Sequence, residues 1–215
     1  MTLKVNEIFY SIQGESSFAG YPCVFVRLAG CNLRCSYCDT RFAYDAGADM
    51  PLAEILERIE SFSCSLVEIT GGEPLMQAET PQLVHRLLGR DFKVLVETNG
   101  SLDIDLVDSG AIRIIDIKCP SSNEHTRNDL RNLKKMSPLD EIKFVIGNRQ
   151  DYDYAKRMLQ LIPEQPGTDR KIHFSPVSGL LRPQDLATWI LEDRLPVRLQ
   201  VQLHKTLWPN EERGR

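Results

Sequence analysis

Leu66-Val67-Glu68-Ile69-Thr70-Gly71-Gly72-Glu73-Pro74 is the stretch that decides the fold. Its first five residues form a short, mostly apolar run that stops at a glycine pair, as a buried strand does. Thr80-Pro81 follows and reads as an N-cap with proline at the first helical position. Leu83, Val84, Leu87 and Leu88 then recur at helical spacing, and Gly89 marks the end. Strand, turn and helix in that order make one β/α unit.

The same unit recurs on both sides. Upstream, Cys23-Val24-Phe25-Val26-Arg27-Leu28 reads as the first strand, and Leu52, Ile55, Leu56 and Ile59 as a helix with Pro51 in its first turn. Downstream, 93–97, 112–117, 141–146, 171–174 and 197–201 are further apolar strands. Ala155, Met158, Leu159 and Ile162 mark one later helix, and Leu186, Trp189 and Ile190 another. Segment 119–139 is polar and reads as a loop with a short helix. Repeated β-then-α units imply a mostly parallel sheet with right-handed crossovers. Roughly six or seven such strands make either an open sheet or a partial barrel, with binding groups at the C-terminal strand ends.

Composition bounds the function. The chain has 215 residues, 42% hydrophobic and 26% charged, which suits one soluble domain with a sizeable core. Lys plus Arg is 26 against 30 for Asp plus Glu, a formal charge of −4, so there is no basic footprint for nucleic acid. Met1 to Glu7 lacks the apolar run of a signal peptide, and no stretch approaches a membrane span. A cytoplasmic protein is expected, in which clustered cysteines bind metal or react rather than form disulfides.

Cys31, Cys35 and Cys38 form such a cluster, spaced C-x3-C-x2-C directly after the first strand. Their thiolates can converge on one inorganic centre, either zinc with a fourth ligand from elsewhere or an iron–sulfur cluster with one open iron. His85 falls in a helix and Cys64 precedes a strand, so neither is an obvious fourth zinc ligand. Cys23, Cys64 and Cys119 stand alone and read as buried small hydrophobes. Beside the cysteine loop, Gly71-Gly72 permits close backbone approach to a ligand and Glu73 suits an ammonium group. Arg27, inside its strand, is placed to grip a carboxylate. Among the histidines, His204, next to Lys205, is the binding candidate.

These residues carry a resemblance. The cysteine loop followed by Gly71-Gly72-Glu73-Pro74 resembles the radical S-adenosylmethionine superfamily. Within it, Glu7-Ile8-Phe9-Tyr10-Ser11-Ile12-Gln13-Gly14-Glu15, then Arg27, Cys38-Asp39-Thr40, Asp116 to Ser122 and Gln202-Leu203-His204-Lys205 are similar to the 7-carboxy-7-deazaguanine synthase family. The resemblance spans roughly residues 5–209. It implies a partial TIM-like parallel β/α barrel in one domain over 1–215, with 209–215 as a C-terminal extension.

The resemblance also implies a chemistry. A 4Fe–4S cluster on Cys31, Cys35 and Cys38 would chelate S-adenosylmethionine and, with one electron, yield a 5′-deoxyadenosyl radical. That radical would take a hydrogen from C6 of 6-carboxy-5,6,7,8-tetrahydropterin, whose ring contracts with loss of ammonia to 7-carboxy-7-deazaguanine, on the route to queuosine. The S-adenosylmethionine is regenerated. No side chain is assigned as catalytic, because the cofactors carry the hard chemistry.

Position by position, Thr40 matches the family's Mg2+ ligand. Ile12, Gln13, Gly14, Glu15, Arg27, Thr70, His204 and Pro209 match the substrate side. Gly72, Glu73, Asp116, Ile117, Lys118, Ser175, Pro176, Val177 and Ser178 match the S-adenosylmethionine side. A homodimer and an external one-electron donor of flavodoxin or ferredoxin type are expected, with neither nucleic acid nor membrane as partner. Family members often carry glycine where Ser16 stands, so a positive φ there would strain this chain.

Overall fold

The computed structural model describes residues 1–163, 171–211, 213 and 214. A nine-stranded sheet runs in the order β3-β1-β2-β4-β5-β6-β7-β8-β9. The strands are β1 (Thr2–Ile12), β2 (Pro22–Leu28), β3 (Ala48–Pro51), β4 (Leu66–Gly71), β5 (Lys93–Thr98), β6 (Ile112–Ile117), β7 (Glu141–Ile146), β8 (Lys171–Pro176) and β9 (Arg198–Leu199). From β2 through β4 to β9 every pairing is parallel, whereas β1 joins β2 and β3 antiparallel. Among the described residues the α-helices are α1 (Leu52–Ser61), α2 (Thr80–Leu88), α3 (Arg149–Leu159), α4 (Pro183–Asp193) and α5 (Leu203–Leu207). Among the described residues no helix is long and apolar enough to cross a membrane.

The parallel strands bury both faces, which is why they read as apolar runs. Their outer residues, such as Val67, Ile69, Val96, Ile115 and Phe144, pack with Ile55, Leu83, Leu87, Tyr152 and Leu186 of the helices in one core. Burying each such side chain contributes about 1.5–3 kcal/mol. On the inner face Phe9, Phe25, Leu66, Leu95, Ile112 and Ile114 form a second apolar cluster. Above that cluster, the same faces of β4, β5, β6 and β7 turn polar, with Glu68, Glu97, Asp116 and Lys143.

Several expectations need correcting. Cys23–Leu28 is the second strand: β1, eleven residues long, precedes it. A register shift between Val5 and Glu7 breaks the alternation of β1, and Lys4, Asn6 and Glu7 dilute its strand signal. The short edge strand β3 ends at Pro51, which precedes α1 instead of opening its first turn. Thr80 is the first residue of α2, not its cap, and its hydroxyl donates to Pro74 O at 2.6 Å. Ile162 lies beyond the end of α3 yet still packs on the core. The strand expected over 197–201 shrinks to β9, whereas residues 119–139 form the expected loop with short helical turns, all of them 3-10. Cys23 and Cys119 are buried as expected, but Cys64 is only half-buried.

The β5–β6 and β6–β7 crossovers carry no α-helix, so the simple repeat fails there. A buried arginine holds them instead. Arg113 Nη2 donates to Asp140 Oδ2 at 2.6 Å and to Lys135 O at 3.1 Å, and Nη1 donates to Ile104 O at 3.3 Å. Asn132 adds a second tie, accepting from Ile104 N at 3.2 Å and donating to Leu102 O at 2.7 Å. Arg113→Ala would strand the fully buried Asp140 carboxylate, at a cost of about 3–5 kcal/mol. Urea unfolding is the check: a midpoint equal to that of the unaltered protein would contradict this role.

Candidate active site

The loop after β2 carries the three cysteines, all reduced and half-buried. Its backbone is tied on both sides. Gly30 N donates to Ala43 O at 2.9 Å, and Ser36 N donates to Ser122 O at 3.0 Å. Glu73 N donates to Gly30 O at 2.8 Å, and Gly72 N donates to Leu28 O at 3.0 Å. The turn after β4 is thereby docked on the cysteine loop. Gly71 has φ of +116°, a left-handed position open to glycine. A Cβ at Gly72 would fall 1.9 Å from Gly30 O, so the approach needs its missing side chain.

Burial pushes the Cys31 thiol up and the Cys35 thiol up to about 11. Loading of a metal group must therefore release protons. Leu33 N points at Cys31 Sγ at 3.5 Å and Asn99 Nδ2 at 3.9 Å, the kind of donors that surround cluster sulfurs. Among the described residues no three His, Cys, Asp or Glu side chains are gathered tightly enough to hold a single metal ion. Three free thiols on one loop, with N–H donors directed at Cys31 Sγ, are the donor chemistry that a four-iron cluster with one open iron takes.

A cavity of about 570 Å³ opens beside this loop, of a size for small-molecule ligands. Cys38, Thr40 and Gly72 line it together with Ile12, Gln13, Gly14, Glu15, Arg27, Thr70, Asp116, Val177, Ser178 and His204. Those positions, expected from seven separate parts of the chain, meet in one place. Cys31, Cys35, Glu73, Ile117, Lys118, Ser175, Pro176 and Pro209 lie outside the lining. Ile117 points into the outer core, and Ser175 and Pro176 belong to β8 itself, not to a turn beyond it. Pro209 is exposed.

Glu73 differs most from its expected role. It is fully buried, and its carboxylate accepts from Leu75 N at 3.0 Å, Thr98 Oγ1 at 2.8 Å and Asn99 N at 2.7 Å. Those donors fix the turn and hold the carboxylate inside the protein. By contrast, Asp116 Oδ1 and Ser175 Oγ are buried with no hydrogen-bond partner, as polar atoms awaiting a ligand would be. Asp116 Oδ2 takes the Lys118 ammonium at 2.9 Å. Burial opposes the charge on Lys118, but Asp116 and the neighbouring Cys35 outweigh it and raise the lysine.

The substrate-side residues are held by the chain's far end. Leu203 N donates to Gly14 O at 3.0 Å, Gln202 Nε2 to Glu15 Oε1 at 2.9 Å, and Lys205 pairs with Asp39 at 2.8 Å. His204 sits on α5, not at a strand end, and a Cβ at Gly14 would lie 2.3 Å from its Nδ1. Arg27 pairs with Glu7 at 2.7 Å, and its guanidinium faces the rings of Phe9 and Phe42. Ser16 does adopt φ of +62°, and its hydroxyl offsets part of the strain by accepting from Phe18 N at 3.1 Å.

Glu68, Glu97 and Lys143 also line the cavity and were not singled out from sequence. The signal was there: charged residues in the middle of apolar strands, Val67-Glu68-Ile69, Val96-Glu97-Thr98 and Ile142-Lys143-Phe144. Burial, with Glu97 and Glu15 nearby, raises Glu68 well above the carboxylate range, and the Gln13 amide donates to it. Glu15 N in turn donates to Gln13 Oε1 at 3.1 Å, so the amide is oriented from both ends.

Comparison with known proteins gives four findings. Residues 26–164 match the model of the radical SAM superfamily. The chain is 41% identical to the 7-carboxy-7-deazaguanine synthase of Koribacter versatilis, over 99% of this chain and all of that one. It is 48% identical to the enzyme of the same name from Chlorobaculum tepidum, over 99% of this chain and 97% of that one. In architecture it resembles the crystal structure of QueE from Escherichia coli, with a TM-score of 0.74 at 22% identity, covering 95% of each chain. That last likeness establishes the partial TIM-like α/β barrel.

Proposed function

The chain belongs to the radical SAM superfamily and, within it, to the 7-carboxy-7-deazaguanine synthase family, and from that premise we propose that it converts 6-carboxy-5,6,7,8-tetrahydropterin to 7-carboxy-7-deazaguanine with loss of ammonia. The enzyme is a carbon–nitrogen lyase of queuosine biosynthesis. One observation carries the reading: Cys38 and Thr40 of the cysteine loop share a cavity with Gln13, Arg27, Thr70 and His204.

Cys31, Cys35 and Cys38 would hold the 4Fe–4S cluster. When bound, the cluster and S-adenosylmethionine supply the one-electron chemistry that generates a hydrogen-abstracting carbon radical. The protein's own contribution is placement and dryness. Gly72 lets the β4 turn lie against the cysteine loop, and unpartnered Asp116 Oδ1 offers an acceptor to the adenosyl portion. Gly72, Asp116, Val177 and Ser178 are the cavity-lining residues of that cofactor's side. Arg27, which also lines the cavity, supplies the fork that suits the pterin carboxylate. Gln13, its amide fixed by Glu68, presents a defined donor and acceptor to the ring. Thr40 offers a hydroxyl oxygen to Mg2+, a hard cation that takes oxygen ligands and keeps several waters. A homodimer, a cytoplasmic location and an external flavodoxin- or ferredoxin-type donor complete the reading, as the family resemblance implies.

Equilibrium binding tests the substrate assignment. Cluster-loaded protein should bind 6-carboxy-5,6,7,8-tetrahydropterin saturably under anaerobic conditions. Arg27→Ala should keep its iron and bind roughly 10- to 100-fold more weakly, as loss of a charge-assisted pair implies. Unchanged affinity in Arg27→Ala would reject the role given to Arg27.

A further inference from the structure

Lys143 is a cation in the middle of an apolar parallel strand, where an aliphatic side chain would cost less. Its side chain is 7% exposed, and its ammonium lies 2.6 Å from Glu15 Oε2 and 2.6 Å from Glu97 Oε1. The two carboxylates come from different parts of the fold, Glu15 from the turn after β1 and Glu97 from β5. Without a cation between them they would repel, and one would take up a proton. Burial alone would raise Glu97, but Lys143 more than offsets it and holds that carboxyl below its ordinary range.

Each carboxylate also keeps acceptor capacity toward the cavity it lines. Glu15 Oε1 takes the Gln202 amide, and Oε2 takes the Lys143 ammonium. Glu97 Oε2 accepts only a 3.3 Å contact from Thr70 Oγ1. A carboxylate oxygen has two lone-pair positions, so these atoms are under-used.

We propose that Lys143 is a positioning residue of the pterin site: it bridges Glu15 and Glu97 and so presents two carboxylates to the amine and ring N–H groups of the substrate. The proposal rests on the pterin reading above and adds to it a pair of donor-recognising carboxylates in the cavity that Arg27 also lines. The other charged or titratable groups facing Lys143 are Asp116 on β6 and His173 on β8, its register partners, and Glu68 on β4. Asp39 and His204 act on it from the cavity mouth.

The test is the dissociation constant of 6-carboxy-5,6,7,8-tetrahydropterin for cluster-loaded enzyme, measured anaerobically without S-adenosylmethionine across roughly pH 6 to 8.5. The unaltered enzyme should bind with a flat profile. Lys143→Met should raise the constant about 10- to 100-fold, as loss of charge-assisted contacts implies. Its affinity should also fall further as pH drops, because the unbridged Glu15–Glu97 pair then takes up a proton. Lys143→Arg, which keeps the cation, should restore the flat profile. Unaltered affinity and a flat profile in Lys143→Met would overturn the proposal while leaving the functional reading intact. Failure of the unaltered enzyme to bind the pterin would overturn both. Should Lys143→Met not fold, the charge-balanced Lys143→Gln/Glu97→Gln variant decides. It should bind about tenfold more weakly with no pH dependence, and unaltered affinity there would overturn the proposal.

Discussion

Cys35→Ala is expected to purify colourless, with iron falling from about four per chain to near zero, and to show no turnover. Three thiolates are the fewest that hold a four-iron cluster while leaving one iron open. Cys35 sits at the centre of a loop tied on one side by Ser36 N to Ser122 O and on the other by Gly30 N to Ala43 O. Because the loop is pinned, no other cysteine replaces it: Cys23 and Cys119 are buried in the apolar core and Cys64 precedes β4. Cys64→Ala is therefore the control and should keep both iron and activity. Metal analysis of anaerobically purified protein reads the result, and a fully iron-loaded Cys35→Ala would contradict the ligand assignment.

Gly72→Ala has the second large effect, for a different reason. The added Cβ would lie 1.9 Å from Gly30 O and 2.5 Å from Gly30 C, both backbone atoms that cannot rotate away. Either the β4 turn or the cysteine loop must move, with an overpacking cost of about 1–3 kcal/mol or more. The strain falls on Gly30, next to Cys31, so cluster loading should drop severalfold while global unfolding shifts less. Iron content and urea midpoint, measured together, separate the two. Normal iron with normal activity in Gly72→Ala would show that the close approach is not needed.

The barrel was legible in the sequence wherever a short, mostly apolar strand is followed by a helix, as at 66–88. It was illegible where the chain substitutes another device. β1 was hidden by its register shift and by Lys4, Asn6 and Glu7. The helix-free crossovers were hidden because Arg113, which holds them, looks in sequence like any charged residue within a strand.

The site shows the same division. Loop motifs such as Cys31 to Thr40 announce themselves by spacing. Glu68, Glu97 and Lys143 announce themselves only once the strands are known to be buried on both faces, since a charge is ordinary on a half-exposed strand. Glu73 shows the converse. Its motif marks a site, yet what fixes its carboxylate is Leu75, Thr98 and Asn99, visible only in the folded turn.

Turnover is the most direct measurement of the central claim. Reconstituted enzyme is incubated anaerobically with 6-carboxy-5,6,7,8-tetrahydropterin, S-adenosylmethionine, Mg2+ and a one-electron reductant, and the products are resolved by mass. The account predicts 7-carboxy-7-deazaguanine and ammonia in equal amounts, with S-adenosylmethionine recovered rather than consumed. Fully iron-loaded enzyme that leaves the pterin unchanged would contradict it.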